Sequence, residues 1–327
     1  MSTIGVIGAG AWGTAIAHTM AASGHSVKLW GRSETTIAEI NDKRTNARYL
    51  GTTPLDQNFQ ATTDIKQVVV GAEYLFLVTP AQTALDTANA VKAAGLNDSA
   101  AVICCSKGLD KKSGKRVSET VTNVCSENAV MVLSGPSFAH DVASGLPTAV
   151  TLAGENIDTA LDACENLSSK TLRLYASDDI VGVELGGALK NVFAIAAGIV
   201  DGARLGASAK AALIARGFAE LSRIADAAGG KRETLNGLSG LGDLILTCGS
   251  MQSRNYAFGF AMADKTKGAP SKLAEGFYTA QSAVALADGL GVEVPIMRAV
   301  SAVISGQISI ADAIAELTSR PVKAELD

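Results

Sequence analysis

The segment Thr3-Ile4-Gly5-Val6-Ile7 runs directly into Gly8-Ala9-Gly10-Ala11-Trp12-Gly13 and then into TAIAHTMAASG, ending at Gly24. A short apolar strand, a GxGxxG turn and a helical run in immediate succession leave few folds open, because this is the context of a dinucleotide cradle. The glycines let the backbone turn tightly and approach a pyrophosphate, whose charge is met by the N-terminus of the following helix. Gly8, Gly10, Ala11, Trp12 and Gly13 are therefore candidate cofactor residues. A second strand, Ser26 to Trp30, follows at the βαβ distance.

That strand ends Trp30-Gly31-Arg32-Ser33, with no carboxylate before Glu34. NAD enzymes of this architecture place an acidic residue there for the ribose 2′-hydroxyl. An arginine instead stacks on adenine and pairs with a 2′-phosphate, which favours NADPH over NADH; the other reading of Arg32 is an exposed loop residue.

Three further strands are expected at Tyr74 to Val78, Ala101 to Cys105 and Ala129 to Leu133, each followed by a turn: Thr79-Pro80, Ser106-Lys107-Gly108 and Ser134-Gly135-Pro136-Ser137. Ligands of open α/β sheets bind beyond the carboxyl ends of the strands, so these loops point at one crevice. Lys107 then stands at the cofactor mouth or is a solvated loop lysine. Two more strand-like pieces, TAVTLAG and TLRLYAS, flank a helical run from Ile157 to Ser168 and read as sheet extensions.

From Asp178 onward helical runs dominate: Ile180 to Val200, Ala207 to Ala228, Thr279 to Leu290, Ile296 to Ile304 and Ile310 to Leu317. The expected architecture is an α/β N-terminal Rossmann-type dinucleotide-binding domain, residues 1–180, and an all-α C-terminal substrate domain, residues 181–327. A substrate would lie in the cleft between them.

The first of these helices carries an anomaly. Between Glu184 and Asp201 only Lys190 and Asn191 have polar side chains, so the helix is apolar almost all round and should be buried. Burial disfavours the charged amine and lowers its pKa, which suits a proton donor or acceptor near neutral pH. Alternatively Lys190 snorkels to solvent. Further on, Gly237-Leu238-Ser239-Gly240-Leu241-Gly242 precedes Asp243, so the backbone can come close to a ligand and present a carboxylate. A buried Asp243 beside Lys190 would offset part of the cost of both charges; as a plain alternative, Asp243 caps the next helix. Ser253-Arg254-Asn255 offers donors and a guanidinium suited to phosphate or carboxylate.

Composition closes off other classes. A formal net charge of -4 and no basic run argue against nucleic-acid binding. Cys104, Cys105, Cys125, Cys164 and Cys248 have neither CxxC spacing nor clustered histidines, which argues against zinc and fits a reducing compartment. The N-terminus lacks a signal-peptide pattern, and the longest apolar run is broken by Lys190, so a cytoplasmic chain with no membrane insertion is expected. His18, His25 and His140 are read as structural.

Taken together, GAGAWGTAIA at 8–17, VTPAQ at 78–82, SKG at 106–108, SGPSFA at 134–139, ELGGALKNVFAIAAGIVDG at 184–202, GLSGLGDLILTC at 237–248 and SRN at 253–255 resemble the bacterial NAD(P)-dependent sn-glycerol-3-phosphate dehydrogenase family along nearly the whole chain. The resemblance implies reduction of dihydroxyacetone phosphate to sn-glycerol 3-phosphate, the backbone of phospholipids, with NADPH or NADH. It implies Lys190 as general acid positioned by Asp243, and Ser253, Arg254 and Asn255 around the substrate phosphate. Lys107, Gly135 and Ser137 would close around substrate and cofactor. Trp12, Arg32, Ala139, Arg254, Leu273 and Glu275 map to cofactor-contact positions, with Tyr49 a further candidate, and a homodimer is implied. Two positions depart from the pattern: Ala11 stands where serine is common, and His140-Asp141 where a basic then an acidic residue is common.

Two rival readings stand beside this one. The first is a reductase of another small anionic ketone, of β-hydroxyacid or ketopantoate type. The second is a nucleotide-sensing protein without turnover. A buried lysine paired with a carboxylate distinguishes a catalyst from a sensor, which gains nothing from so costly an acid.

Overall fold

The structure, a computed structural model, describes residues 1–264, 274–322 and 324. Eight strands, β1 (Thr3–Ile7), β2 (Ser26–Trp30), β3 (Phe59–Thr62), β4 (Tyr74–Leu77), β5 (Ala101–Cys104), β6 (Val130–Ser134), β7 (Thr148–Ala153) and β8 (Leu172–Ser177), form one sheet in the order β3-β2-β1-β4-β5-β6-β7-β8. All neighbours are parallel except β6 and β7. The sheet's central strands are buried on both faces. Ile103, Met131 and Leu133 join the core on one side, while Val102, Cys104, Val130 and Val132 join the core on the other. The period-2 alternation of a strand divides such residues between two helix-covered faces, which is why these strands read as unbroken apolar runs.

Strand order reverses between β1 and β4, the switch point at which open α/β sheets bind ligands. The loop after β1 is the GxGxxG turn, and the loop after β4 is Thr79-Pro80. The pieces at 148–174 are sheet strands, as the sequence suggested. Their order is now fixed: β7 turns back antiparallel on β6, and β8 lies parallel outside it.

After Ser177 the regular elements among the described residues are all helices. The helix Ile180–Gly202 sits at the centre of a third apolar cluster and is buried from Gly182 to Val200. It is long and apolar enough to cross a bilayer, yet it is enclosed by protein. Glycines allow the enclosure to be close. A Cβ at Gly198 would lie 2.1 Å from the Tyr256 carbonyl, and one at Gly259 would lie 2.0 Å from that of Ile195. The helices Ile180–Gly202 and Arg254–Ala263 therefore meet backbone to backbone. The sequence did not mark Arg254–Ala263 as a helix, because its aromatic residues and Gly259 have poor intrinsic propensity and tertiary packing supplies what propensity lacks.

Candidate active site

Lys190 does not snorkel. It is 6 % exposed, and its Nζ donates to Asp243 Oδ1 and, at 2.7 Å, to Thr247 Oγ1. Burial is the largest influence on the amine and lowers its pKa to about 8; Asp243 opposes the shift and Lys107 adds to it. Asp243 is 1 % exposed and shared, since its Oδ2 accepts from Lys107 Nζ at 2.7 Å. Lys107 also donates to the Gly135 carbonyl at 2.9 Å. Two ammonium groups thus flank one carboxylate, which leaves an excess positive charge where an alkoxide or a phosphate can use it.

The positions follow from local structure. Lys107 stands just beyond β5 and Gly135 just beyond β6, at the carboxyl edge of the sheet. Gly135 has φ +152°, and a Cβ there would lie 2.8 Å from Val150 Cα, so the turn requires glycine. Ser137 Oγ donates to the same Gly135 carbonyl at 3.1 Å. The run 237–242 forms a π-helical turn, Leu238–Gly242, that lies against the central helix: a Cβ at Gly186 would come within 2.7 Å of the Ser239 carbonyl. That contact sets Asp243, the first residue of the helix Asp243–Cys248, across from Lys190. Thr247 stands one helical turn on from Asp243 and so shares its face. Sequence reasoning passed over Thr247, although the four-residue spacing in DLILT was a readable signal.

A second set of bonds ties the site to its surroundings. Asn191 Nδ2 donates to the Lys107 carbonyl at 3.2 Å, Asn255 Nδ2 donates to Asn191 Oδ1 at 2.9 Å, and Gly276 N donates to Asn255 Oδ1 at 2.8 Å. Asn255 is thereby held inside the protein. Ser253 is also turned inward, capping Arg254–Ala263 by accepting the Tyr256 N–H at 3.3 Å. Arg254, the first residue of that helix, is exposed and faces Glu275, whose carboxyl is pushed up by burial and drawn back down chiefly by Arg254. Leu273 lies outside the described residues.

The GxGxxG loop fits a dinucleotide. Gly8 has φ +125° and a Cβ there would lie 2.6 Å from the Val78 carbonyl, whereas a Cβ at Gly13 would meet the Gly8 carbonyl at 1.9 Å. A Cβ at Gly10 would meet nothing within 4 Å, so this residue faces open space. The helix Ala11–Ala22 has no side-chain cap and no acidic residue in its first turn, which leaves its N-terminal N–H groups for an anion. Trp12 is half-buried against the core, and Ala139 opens the short helix Ala139–Ala143. Arg32 is exposed just past β2, and Tyr49 is exposed on the short helix Ala47–Leu50 with the Arg48 guanidinium 5.3 Å from its ring centre.

Comparison with known proteins supports the fold and identifies the family. Residues 3–160 match the family model for the N-terminus of NAD-dependent glycerol-3-phosphate dehydrogenase, and residues 179–315 match the model for its C-terminus. A glycerol-3-phosphate dehydrogenase of Azorhizobium caulinodans is 50 % identical over 324 residues, 98 % of each chain. One from Chelativorans sp. is 47 % identical over 323 residues, 99 % of this chain and 98 % of the other. The crystal structure of glycerol-3-phosphate dehydrogenase from Coxiella burnetii superposes with a TM-score of 0.90 at 36 % identity, covering 98 % of this chain and 99 % of that one. With both halves matched in order and relatives about half identical along nearly the whole chain, the chain belongs to the NAD-dependent glycerol-3-phosphate dehydrogenase family.

Proposed function

We propose that this chain reduces dihydroxyacetone phosphate to sn-glycerol 3-phosphate with NADPH or NADH, supplying the glycerol 3-phosphate of phospholipids. The observation that carries the reading is Lys190, buried and bonded to Asp243 at the sheet edge that also holds the GxGxxG loop. When bound, the reduced nicotinamide supplies a hydride to the carbonyl carbon. Lys190 gives its proton to the carbonyl oxygen, and a pKa of about 8 leaves the amine protonated yet able to release that proton near neutrality. Asp243 and Thr247 hold Nζ in place, and Lys107 adds positive charge beside the developing alkoxide.

Arg254, with the N-terminal turn of its helix, is assigned to the substrate phosphate; Asn255 and Ser253 hold that turn in position. Gly135 and Ser137 line the same loop as the Lys107 contact. Gly8, Gly10, Ala11, Trp12 and Gly13 take the cofactor, joined by Tyr49, Ala139, Leu273 and Glu275. Arg32, exposed where a carboxylate would select NADH, favours NADPH. Residues 1–180 would then serve the cofactor and 181–327 the substrate. A homodimer and a cytoplasmic location complete the reading; five buried, free thiols suit a reducing compartment.

The test is oxidation of NADPH and of NADH by the purified chain with dihydroxyacetone phosphate. Turnover with a higher kcat/KM for NADPH is expected. Cofactor binding without turnover would replace the enzyme by a nucleotide sensor.

A further inference from the structure

Asn46 belongs to none of the motifs discussed above, and it is fully buried at 0 % exposure. Its Nδ2 donates to two groups of the cofactor cradle: the Ala9 carbonyl at 3.2 Å, between the first two glycines, and Thr14 Oγ1 at 2.9 Å, in the helix that follows. The amide orientation is fixed by chemistry, because a carbonyl accepts only from a donor. Oδ1 is left buried with no partner. An unpaired buried acceptor opposes folding, so Asn46 is a poor choice for stability alone.

The consequence lies in one peptide unit. In a trans peptide the C=O of one residue and the N–H of the next point in opposite directions. Holding the Ala9 carbonyl inward therefore turns the Gly10 N–H outward. That N–H has no acceptor among the described residues, and the side of the loop on which Gly10 lies is open. The Asn46 carbonyl also accepts from Tyr49 N at 3.0 Å and Leu50 N at 2.8 Å, which fastens the short helix carrying Tyr49 to the same loop.

We propose that Asn46 is a positioning residue for the dinucleotide: by gripping the Ala9 carbonyl it aims the Gly10 N–H at the pyrophosphate and locks the Tyr49 segment to the cradle. This rests on the reading of Gly8–Gly13 as the cofactor loop.

The experiment uses the full chain and measures NADPH affinity by calorimetric titration, beside steady-state kinetics and thermal unfolding. Asn46→Asp keeps the shape but sets an acceptor against the Ala9 carbonyl. It should weaken NADPH binding by roughly ten-fold or more, as expected for losing one well-placed hydrogen bond to an anion. The KM for NADPH should rise in step, while kcat at saturating NADPH stays within about two-fold of the original. Leu167→Ala, a cavity made in the buried face of the helix Ile157–Leu167 and away from the cradle, should lower the unfolding temperature and leave NADPH affinity unchanged. If Asn46→Asp fails to fold, Asn46→Ala, which removes the donor, is judged by the same criteria. Wild-type NADPH affinity in a folded Asn46 variant, or a loss confined to kcat, overturns the proposal. Failure of the unaltered chain to bind NADPH would instead overturn the reading of the loop.

Discussion

Lys190 Nζ has two acceptors in the protein, Asp243 and Thr247, and lies where water is largely excluded. Those facts make its protonation state the quantity that decides its role. Reduction of a carbonyl needs the ammonium form, so the rate of reduction should decline as pH rises through about 8, while oxidation of the alcohol should rise over the same range. Replacing Lys190 by alanine should cost about 10²- to 10⁴-fold in turnover with NADPH binding retained. A reduction profile unaffected by pH through that range, or near-normal turnover in Lys190→Ala, would remove the lysine from the proton transfer. The polar exception in an apolar run was legible from sequence alone, and so was the glycine-rich approach to Asp243. That Lys107 would share the same carboxylate was not, since the two residues are 136 positions apart.

Among the helices, closeness of approach is the governing property. Gly259→Ala sets a methyl group against the Ile195 carbonyl, where an added Cβ would lie 2.0 Å away. Overpacking of this kind should lower stability by about 1–3 kcal/mol, seen as a reduced urea midpoint. An unchanged midpoint would mean that the two helices slide apart at little cost. The helix Pro295–Ile304 depends on a different device. It has no side-chain cap of its own, and Glu220, from the helix Ala207–Ala227, accepts from Ile296 N at 2.7 Å and Met297 N at 3.1 Å. Burial pushes the Glu220 carboxyl up from 4.5 to about 7, against the opposing pull of those N–H groups and of Arg223 and Arg320. The folded state thus binds the proton more tightly than the unfolded state. The resulting stability is fully present below about pH 4.5 and is lost as pH rises through about 7. Relative to Glu220→Gln, the unaltered protein should lose on the order of 1 kcal/mol per pH unit within that window. Parallel stability curves for the two proteins would refute the assignment.

Across the whole molecule, the sheet and the helical half are joined through a buried carboxylate. Glu184, on the central helix and 2 % exposed, accepts from Ser118 N at 2.9 Å, from Ser118 Oγ, and from Arg116 Nη1 at 3.2 Å. Removing it would strand an arginine and a serine at the junction. Glu184→Ala should therefore destabilise the protein by about 3 kcal/mol or more in chemical denaturation, with Glu184→Gln milder. Equal effects of the two substitutions would show that charge at the junction is unimportant. The long axis of this arrangement, a Rossmann-type sheet followed by helices, was readable from strand and helix periodicity. The edge strand β3 was not: it is four residues long and exposes alternate side chains, so its apolar signal is brief.

The sequence by itself determined the cradle, the succession of elements, the burial of the helix through Lys190 and the family to which the chain belongs. These are properties of neighbouring residues, set by backbone freedom at glycine and by the periods of strands and helices. Only the tertiary structure decided the antiparallel return of β7, the sharing of Asp243 between Lys190 and Lys107, the inward turn of Ser253 and Asn255, and the grip of Asn46 on Ala9. Each depends on which distant surfaces can approach closely enough to exclude water, and that is settled by packing across the whole chain.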